Sequence, residues 1–461
     1  MGEDATFYNR IYSTVVPVVK HPIFLIIFIG LFIRLVLMPL FTYDFDVSFW
    51  ATTIQNAQSG DGLYNMPGYY YSPVWGYILG VVSSIGNIFF DLSTMGVHFD
   101  QLVPLETMWM DQHTAAPTTI WFNVMIKIPL IICDLLVGIL IYYLIKERTK
   151  DLKKAQMGFA FWFLCPLTIF ISSVHGTFDV FSAFFMLLTV FMLYKNHYFL
   201  AGASFSAAVL TKWFPAMAIF LLVAYILAKY KDDRDKMVKS LVSAIAGTSL
   251  ALLILMIPMI MEGTVQESLS FIFGRLNVVT SSGDSLKEVL TSIGMFVVTV
   301  IAQPLIVGIC AFIAYKLYRT DRDKLDDRFF TFMLLTMTII LCWGPSPQYL
   351  LILLPFLIMY VLITDRKYMT PLVIISIGAT IFAFSFTTFS ILMSLGAYTD
   401  IISLDTVIGL MEWAHAEIWG ISVQRILFAV GGAMEVIGIW LILLYWYRDS
   451  GGLKKRSEAV I

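Results

Sequence analysis

Charge is scarce in this chain. Only 13% of its 461 residues are Asp, Glu, Lys or Arg, about half the share of a soluble globular domain. With 59% of residues hydrophobic, a fold that hides its apolar surface only from water is excluded. Cysteine is also rare: Cys133, Cys165, Cys310 and Cys342 all fall within apolar runs and form no CxxC pair. That rules out a disulfide framework or a zinc ribbon and leaves small core hydrophobes. No internal repeat or low-complexity tract is visible. The first apolar run, from Pro22, lacks a small-residue cleavage site, so it reads as a retained span rather than a signal peptide. A net charge of −2 points to no partner, and no basic stripe suggests nucleic acid.

Lysine and arginine are absent from residues 41–118, a segment that holds Asp44, Asp46, Asp61, Asp91, Asp100, Glu106 and Asp111. They are absent again from 395–421. Most of the basic residues cluster instead in "KERTKDLKK" (146–154), "KYKDDRDKMVK" (229–239), "KLYRTDRDKLDDR" (316–328), "DRK" (365–367) and the C-terminal tail. By the positive-inside rule the basic clusters are cytoplasmic and the acidic segments outside.

Apolar runs of 18–25 residues cross a hydrocarbon core of about 30 Å. Alternating the two sides predicts an all-α polytopic membrane protein with about twelve helices and both termini cytoplasmic. The spans fall near 22–40, 119–145, 157–174, 180–194, 199–212, 214–229, 240–261, 290–316, 329–344, 348–364, 370–394 and 422–447. The pair 199–229 must leave the cytoplasm and return within about 30 residues, which at 1.5 Å per residue places its turn, near Lys212 and Pro215, below the outer surface. Broken helices at membrane depth are tolerated where protein or a cavity covers the freed backbone. The long outer segment 41–118 is rich in Tyr and Trp, and 69–90 is expected to form an amphipathic helix on the membrane surface. The whole chain reads as one integral membrane domain. Residues 22–240, including the loop 41–118, form the expected catalytic module, and 241–461 the helices completing its cavity.

Ionisable residues inside spans are functional candidates by default. Here they are Arg34, Lys127, Asp134, Lys212, Arg425 and Glu435, with Asp179 at a boundary. In an extended segment Asp44 and Asp46 would face the same way, suited to a general base or to a divalent cation, or else merely solvated. His175, before Gly176, can contact phosphate or hydroxyl groups or simply belong to a tight turn. Lys212 needs a counter-charge, from an anionic substrate or from Asp179. Arg34 can reach a lipid phosphate or pair with Asp134. Lys127 and Asp134 read as helix-packing groups. "PSPQYL" presents Gln348 and Tyr349 as neutral hydrogen-bonding groups in what is otherwise a proline-rich turn.

Four blocks in this order resemble the GT-C superfamily of membrane glycosyltransferases. They are "YDFDVSFWATTIQNAQSGDGLYNMPGYYYSPVWGYIL", "KIPLIICDLLVGILIYYL", "FWFLCPLTIFISSVHGTFDVFSAFFMLL" running on to "AVLTKWFPAMAIFLL", and "PSPQYLLILLP". The likeness is to the dolichol-phosphate-mannose-dependent GPI mannosyltransferase I and to bacterial polyprenol-phosphate mannosyltransferases. "HGTFD" stands where that family more usually has Gly-Gln-Phe-Asp.

The resemblance implies transfer of a sugar, mannose first, from a polyprenyl- or dolichyl-phosphate donor to a glycolipid or glycan hydroxyl, with inversion, at the outer face of the membrane. In a prokaryote that membrane is the plasma membrane. It implies Asp44 as catalytic base with Asp46 as helper or substitute. It further implies donor contacts from Lys212, Arg34, His175, Asp179, Gln348, Tyr349 and Tyr71, the last within the family's Tyr-x-Tyr-x-Pro element. No cofactor is required by the sequence, with Asp44 and Asp46 the ligands if a divalent cation is used. A small partner subunit accompanies the GPI enzyme. A transporter or lipid flippase is the alternative, and a non-catalytic scaffold a third reading.

Overall fold

The computed structural model describes residues 22–65, 72–89, 103–107, 110–115, 117–268, 303–342, 346–418 and 420–450. Tyr71, the beginning of the expected surface helix and the first part of the span expected at 290–316 lie outside these residues.

Helix α1 (Pro22–Leu40) leads through a three-residue link to α2 (Asp44–Gln58) and then α3 (Pro73–Phe89). An antiparallel hairpin, β1 (Val103–Thr107) and β2 (Met110–Ala115), pairs Val103 with Ala115 and amends the all-helical expectation. Next come α4 (Ile120–Thr149), α5 (Leu152–Phe163) and α6 (Pro166–His175), the last two bent by 46° at Pro166. Helices α7 (Asp179–Tyr194), α8 (Tyr198–Thr211), α9 (Phe214–Lys229) and α10 (Arg234–Met261) follow. The second half contains α11 (Gln303–Tyr318), α12 (Leu325–Ile340), α13 (Leu354–Ile363), α14 (Arg366–Tyr398), α15 (Leu404–His415) and α16 (Val423–Asp449).

Among the described residues α1, α4, α10, α14 and α16 are each long and apolar enough to cross a membrane, and the bent pair α5–α6 makes a sixth if it is one span. The protein is therefore multi-pass and α-helical, with shorter apolar helices between the full-length ones. Burial separates centre from rim: half of the most apolar window of α4 is buried against protein, but only 11% of that of α10. The exposed faces are apolar, with Phe24, Phe28, Phe32 and Leu35 on α1 and Val242, Ile245 and Leu253 on α10, as expected of surface that lipid covers. Helix α3 buries Trp75, Leu79 and Val82 while exposing Val81, Ile85, Ile88 and Phe89. Both of its faces are thus apolar.

Close packing at the rim depends on small residues. A Cβ on Gly202 of α8 would fall 2.0 Å from the Ala244 carbonyl oxygen, and one on Gly247 of α10 would fall 1.9 Å from that of Phe199.

The helix break near Lys212 appears where the sequence places it. Helix α8 ends at Thr211, Lys212 is extended (φ −145°, ψ 131°), and the chain resumes as a 3-10 turn at Phe214–Ala218. Fourteen residues of α8 rise about 21 Å, short of a full crossing. One local expectation is corrected: residues 44–51 are helical rather than extended, because α2 begins at Asp44 itself.

Candidate active site

The link 41–43 is held on both sides. Thr42 N–H donates to the Ile391 carbonyl (3.0 Å) and Tyr43 N–H to that of Val174 (3.3 Å). The Lys127 ammonium donates to the carbonyls of Met38 (3.1 Å) and Phe41 (2.7 Å) and to the Thr42 hydroxyl (2.6 Å). A cation thereby satisfies the carbonyls left open at the end of α1. Its role is packing, as expected. Arg34 is also internal. Its guanidinium donates to Asp134 Oδ2 through Nε (3.2 Å) and Nη2 (2.9 Å), and through Nη1 to the carbonyls of Phe163 (2.7 Å) and Gly30 (3.2 Å). Both side chains are fully buried. Of the two roles open to Arg34, the pairing with Asp134 is the contact observed, and its donors tie α1 to α4 and α5.

Because α2 is helical, residues two apart point about 200° from one another around its axis, and the acidic pair divides. Asp44 is fully buried. Its Oδ1 accepts from Thr118 N–H (3.0 Å), the Thr118 hydroxyl (2.6 Å) and the Ser394 hydroxyl (3.3 Å). The Thr118 hydroxyl also lies 2.5 Å from Asn123 Oδ1. The Asn123 amide nitrogen faces the acceptors Pro39 O, Thr118 O and Ser394 Oγ, which fixes its orientation. A single hydroxyl proton cannot serve both Asp44 and Asn123. A neutral Asp44 resolves the conflict by donating its own proton to Thr118. Burial pushes the Asp44 carboxyl up to about 7, against the hydrogen bonds from Thr118 and the Lys127 charge. Asp44 is thus a sealed junction between α2, the entry to α4 and α14.

Asp46 faces the other way and stays 28% exposed. Its Oδ2 lies 2.9 Å from Nε2 of His175, which donates to the carboxylate. His175 ends a π-turn, Phe170–His175, and the chain leaves it through Gly176 at φ +84°. A Cβ at Gly176 would stand 2.8 Å from Val47 Cγ2 and 3.3 Å from Lys127 Cε, so glycine meets both a backbone and a packing requirement there. The Tyr43 ring meets the imidazole edge-on at 4.8 Å.

The same short segment reaches a second charged pair. Asp179, in the first turn of α7, lies 3.3 Å from the Lys212 ammonium. The contact is loose, since neither carboxylate oxygen of Asp179 has a well-directed hydrogen bond among the described residues. The ammonium also stands 4.5 Å above the Phe178 ring and 5.1 Å from that of Tyr349, within cation–π range. Asp179 thus supplies Lys212 with a counter-charge from within the protein. His175 and Asp179 are four residues apart, at most about 14 Å of chain, so "HGTFD" joins the Asp46 and Lys212 centres. Gln348 and Tyr349 are half-buried in a 3-10 turn (Pro347–Ile352), with the Tyr349 ring 5.0 Å from Phe214.

An aromatic cluster lies between these centres. Trp75 stacks on Phe178 at 5.4 Å, and Trp50 meets both rings edge-on. Trp75 also approaches Phe181 (6.1 Å), which lines an apolar groove of about 520 Å³ between α3, α4 and α7. Val81, Ile85, Ile128, Ile132 and Phe184 continue its wall. Glu262 accepts from the backbone of Leu63 (3.2 Å) and Tyr64 (2.7 Å) in the 41–118 segment, and within that segment Tyr64 donates to the Pro73 carbonyl (2.7 Å).

No cluster of three or more His, Cys, Asp or Glu side chains suited to a metal occurs among the described residues. Asp44 and Asp46, the pair considered for a divalent cation, engage separate partners. Sequence reasoning missed Thr118, Asn123, Ser394 and Glu262. Of these, only Thr118 carries a local signal, as the neighbour of the Thr119 cap of α4.

Polar groups from the 41–118 segment, α6, α7 and the α8–α9 break thus lie beside an apolar groove in a bundle of apolar helices. The sequence model of Glycosyltransferase family 87 matches residues 115–345, and the chain belongs to that family. The matched region holds His175, Asp179 and Lys212 and begins after the acidic pair. No curated protein matches the chain. The protein is a membrane glycosyltransferase, with a sugar donor and an acceptor as substrates, and the transporter reading gives way to it.

Proposed function

We propose that the enzyme is a GT-C-type transferase of about twelve membrane helices, moving mannose from a polyprenyl-phosphate donor to a hydroxyl of a glycolipid or glycan, with Asp46 as catalytic base. The observation carrying this reading is the contrast within the acidic pair. Asp46 is accessible and held by His175, whereas Asp44 is sealed and its carboxyl is raised to about 7 by burial. A general base must reach the proton that it removes.

With Oδ2 occupied by His175, Oδ1 of Asp46 takes the proton of the acceptor hydroxyl. The hydroxyl oxygen attacks the anomeric carbon, the bond from that carbon to the phosphate oxygen breaks, and the phosphate leaves with the electron pair. Attack opposite the leaving group inverts the anomeric configuration. Lys212 is the proposed cation that meets the charge developing on the phosphate. The groove past Phe181 and Trp75 suits an isoprenoid tail. Gln348, Tyr349 and Tyr71 are proposed sugar contacts, and Asp179 orients Lys212.

The acidic loops face the outer side and the basic loops the cytoplasm. Residues 22–240 carry the chemistry, and 241–461 complete the cavity, a division supported by Ser394 and Ile391 reaching back to Asp44 and Thr42. No metal is needed for this scheme, and a small partner subunit is compatible with it.

The test is transfer in proteoliposomes from polyprenyl-phosphate mannose, set against the glucose and galactose analogues. Asp46→Asn should lose activity by about 10²–10⁴-fold while the donor still binds. Full activity in that variant removes Asp46 as base, and preference for another sugar removes mannose.

A further inference from the structure

A second groove lies at the opposite end of the bundle. Helix α7 runs from Asp179 beside Lys212 to Tyr194, about 24 Å away. Tyr194 there packs on Phe330 of α12 (5.2 Å), and Arg148 covers both rings. Between α11, α12 and the last turns of α16, this end opens into a groove of about 620 Å³.

Two chemistries line it. The inner wall is apolar, with Ile313, Phe332, Leu335 and Leu443. The mouth carries Lys316 from the last turn of α11, Arg328 from the first turn of α12, and Ser450 just past α16. Trp446 and Tyr447 flank the mouth, side chains that favour a membrane–water boundary. Both cations are exposed, and among the described residues neither has an acidic partner. The Lys316 ammonium rests 5.3 Å from the Phe312 ring.

From this arrangement we infer a binding site for an anionic glycerophospholipid of the adjacent leaflet. Its phosphate lies between Lys316 and Arg328, and one acyl chain runs along the wall of Ile313, Phe332, Leu335 and Leu443. Charge complementarity selects the headgroup: two cations at the mouth of an intramembrane groove attract an anionic phosphate and repel the trimethylammonium of a choline. The apolar wall selects a lipid over free phosphate, because a small polar ion has no use for it. A polar ligand reaching inward would meet no hydrogen-bonding side chain on that wall. The site lies at the far end of the bundle from Asp46 and Lys212, so its occupant is distinct from the sugar donor and acts as a bound structural lipid.

The experiment uses the full chain in detergent micelles, with phosphatidylglycerol and phosphatidylcholine added in equal amounts and retained lipid read by native mass spectrometry. Wild type should retain phosphatidylglycerol about ten-fold over phosphatidylcholine, each cation near the surface contributing a several-fold preference. Lys316→Gln with Arg328→Gln should erase that preference, whereas Lys231→Gln with Lys239→Gln, equally exposed cations elsewhere on the basic end, should leave it. Leu335→Trp narrows the wall and spares both cations, so it should also release the lipid. Circular dichroism checks each variant for folding, and the double Gln variant decides alone if Leu335→Trp misfolds. Equal retention of the two lipids by wild type, or an unchanged preference in the Lys316/Arg328 variant, overturns the inference. Displacement of the lipid by millimolar inorganic phosphate, or indifference to Leu335→Trp in a folded protein, overturns it too, by showing a bare ion site.

Discussion

His175 and Asp46, 129 residues apart in sequence, meet through Nε2 and Oδ2 at 2.9 Å. The contact leaves the second carboxylate oxygen of Asp46 for a substrate and makes the imidazole a holder of the base. If holding is its role, the type of donor at position 175 matters more than its charge. His175→Gln keeps an N–H that can reach the carboxylate, and His175→Ala removes it. Transfer assays should show kcat lowered by about 10–100-fold in the alanine variant and substantially restored in the glutamine variant, with the KM for donor little changed. Equal loss in both variants would assign the imidazole a role in proton transfer itself.

Asp44 gives a prediction about stability. Its folded-state carboxyl is raised to about 7 from 3.8 because burial disfavours the charge. Below about pH 4 the acid is neutral folded or unfolded, and its contribution is fully present. As pH rises toward 7 the unfolded chain ionises first, so stability is lost through that window and then levels off. The ceiling is about 4 kcal/mol. Asp44→Asn cannot ionise; its side-chain carbonyl can accept from Thr118 N–H and its amide can donate to the Thr118 hydroxyl in place of the acid proton. Thermal unfolding in detergent should show the variant gaining on wild type steadily from pH 4.5 to 7.5. A constant difference across that range would mean that Asp44 is charged in the folded protein. The same variant should retain transferase activity, in contrast to Asp46→Asn.

Much of this was legible beforehand because the bilayer imposes simple rules. Long apolar runs had to be helices, and the short arm ending at Thr211 with Pro215 beyond it had to break. Lys127 and Asp134, seven residues apart on one helix, had to find internal partners. The acidic pair was harder. Whether 44–51 is extended or helical decides if the carboxylates converge, and its aromatic, β-branched neighbours gave no clear period. The partners that distinguish Asp44 from Asp46 come from Thr118, His175 and Ser394, far along the chain. No local pattern encodes contacts of that range, and the burial that raises the Asp44 carboxyl comes from the elements packed over it.

Gly176 sets the distance between the two halves of the proposed base. At φ +84°, with Val47 Cγ2 only 2.8 Å from where a Cβ would be, Gly176→Ala strains the backbone and presses on α2 one residue beyond Asp46. The stability cost should be about 1–3 kcal/mol. The catalytic cost should be larger, about 10²-fold in kcat, since a shift near 1 Å is enough to misplace a base. Parallel measurement of Tm and kcat checks this. A fall in Tm with kcat intact would show that the Asp46–His175 contact tolerates displacement.

The buried pair of Arg34 and Asp134 tests the structural role assigned to it against a donor-binding one. Removing either partner leaves the other charge unpaired in a fully buried site, a loss of about 3–5 kcal/mol. Arg34→Met and Asp134→Leu should therefore each lower Tm and folded yield sharply. The double variant leaves no isolated charge and should recover part of the loss. Recovery should be incomplete, because the carbonyls of Gly30 and Phe163 lose their donor. Donor affinity separates the two roles. If Arg34 only ties α1 to α4 and α5, the folded double variant binds polyprenyl-phosphate sugar as tightly as wild type does. A ten-fold weaker Kd in a double variant of restored Tm would place Arg34 at the phosphate after all.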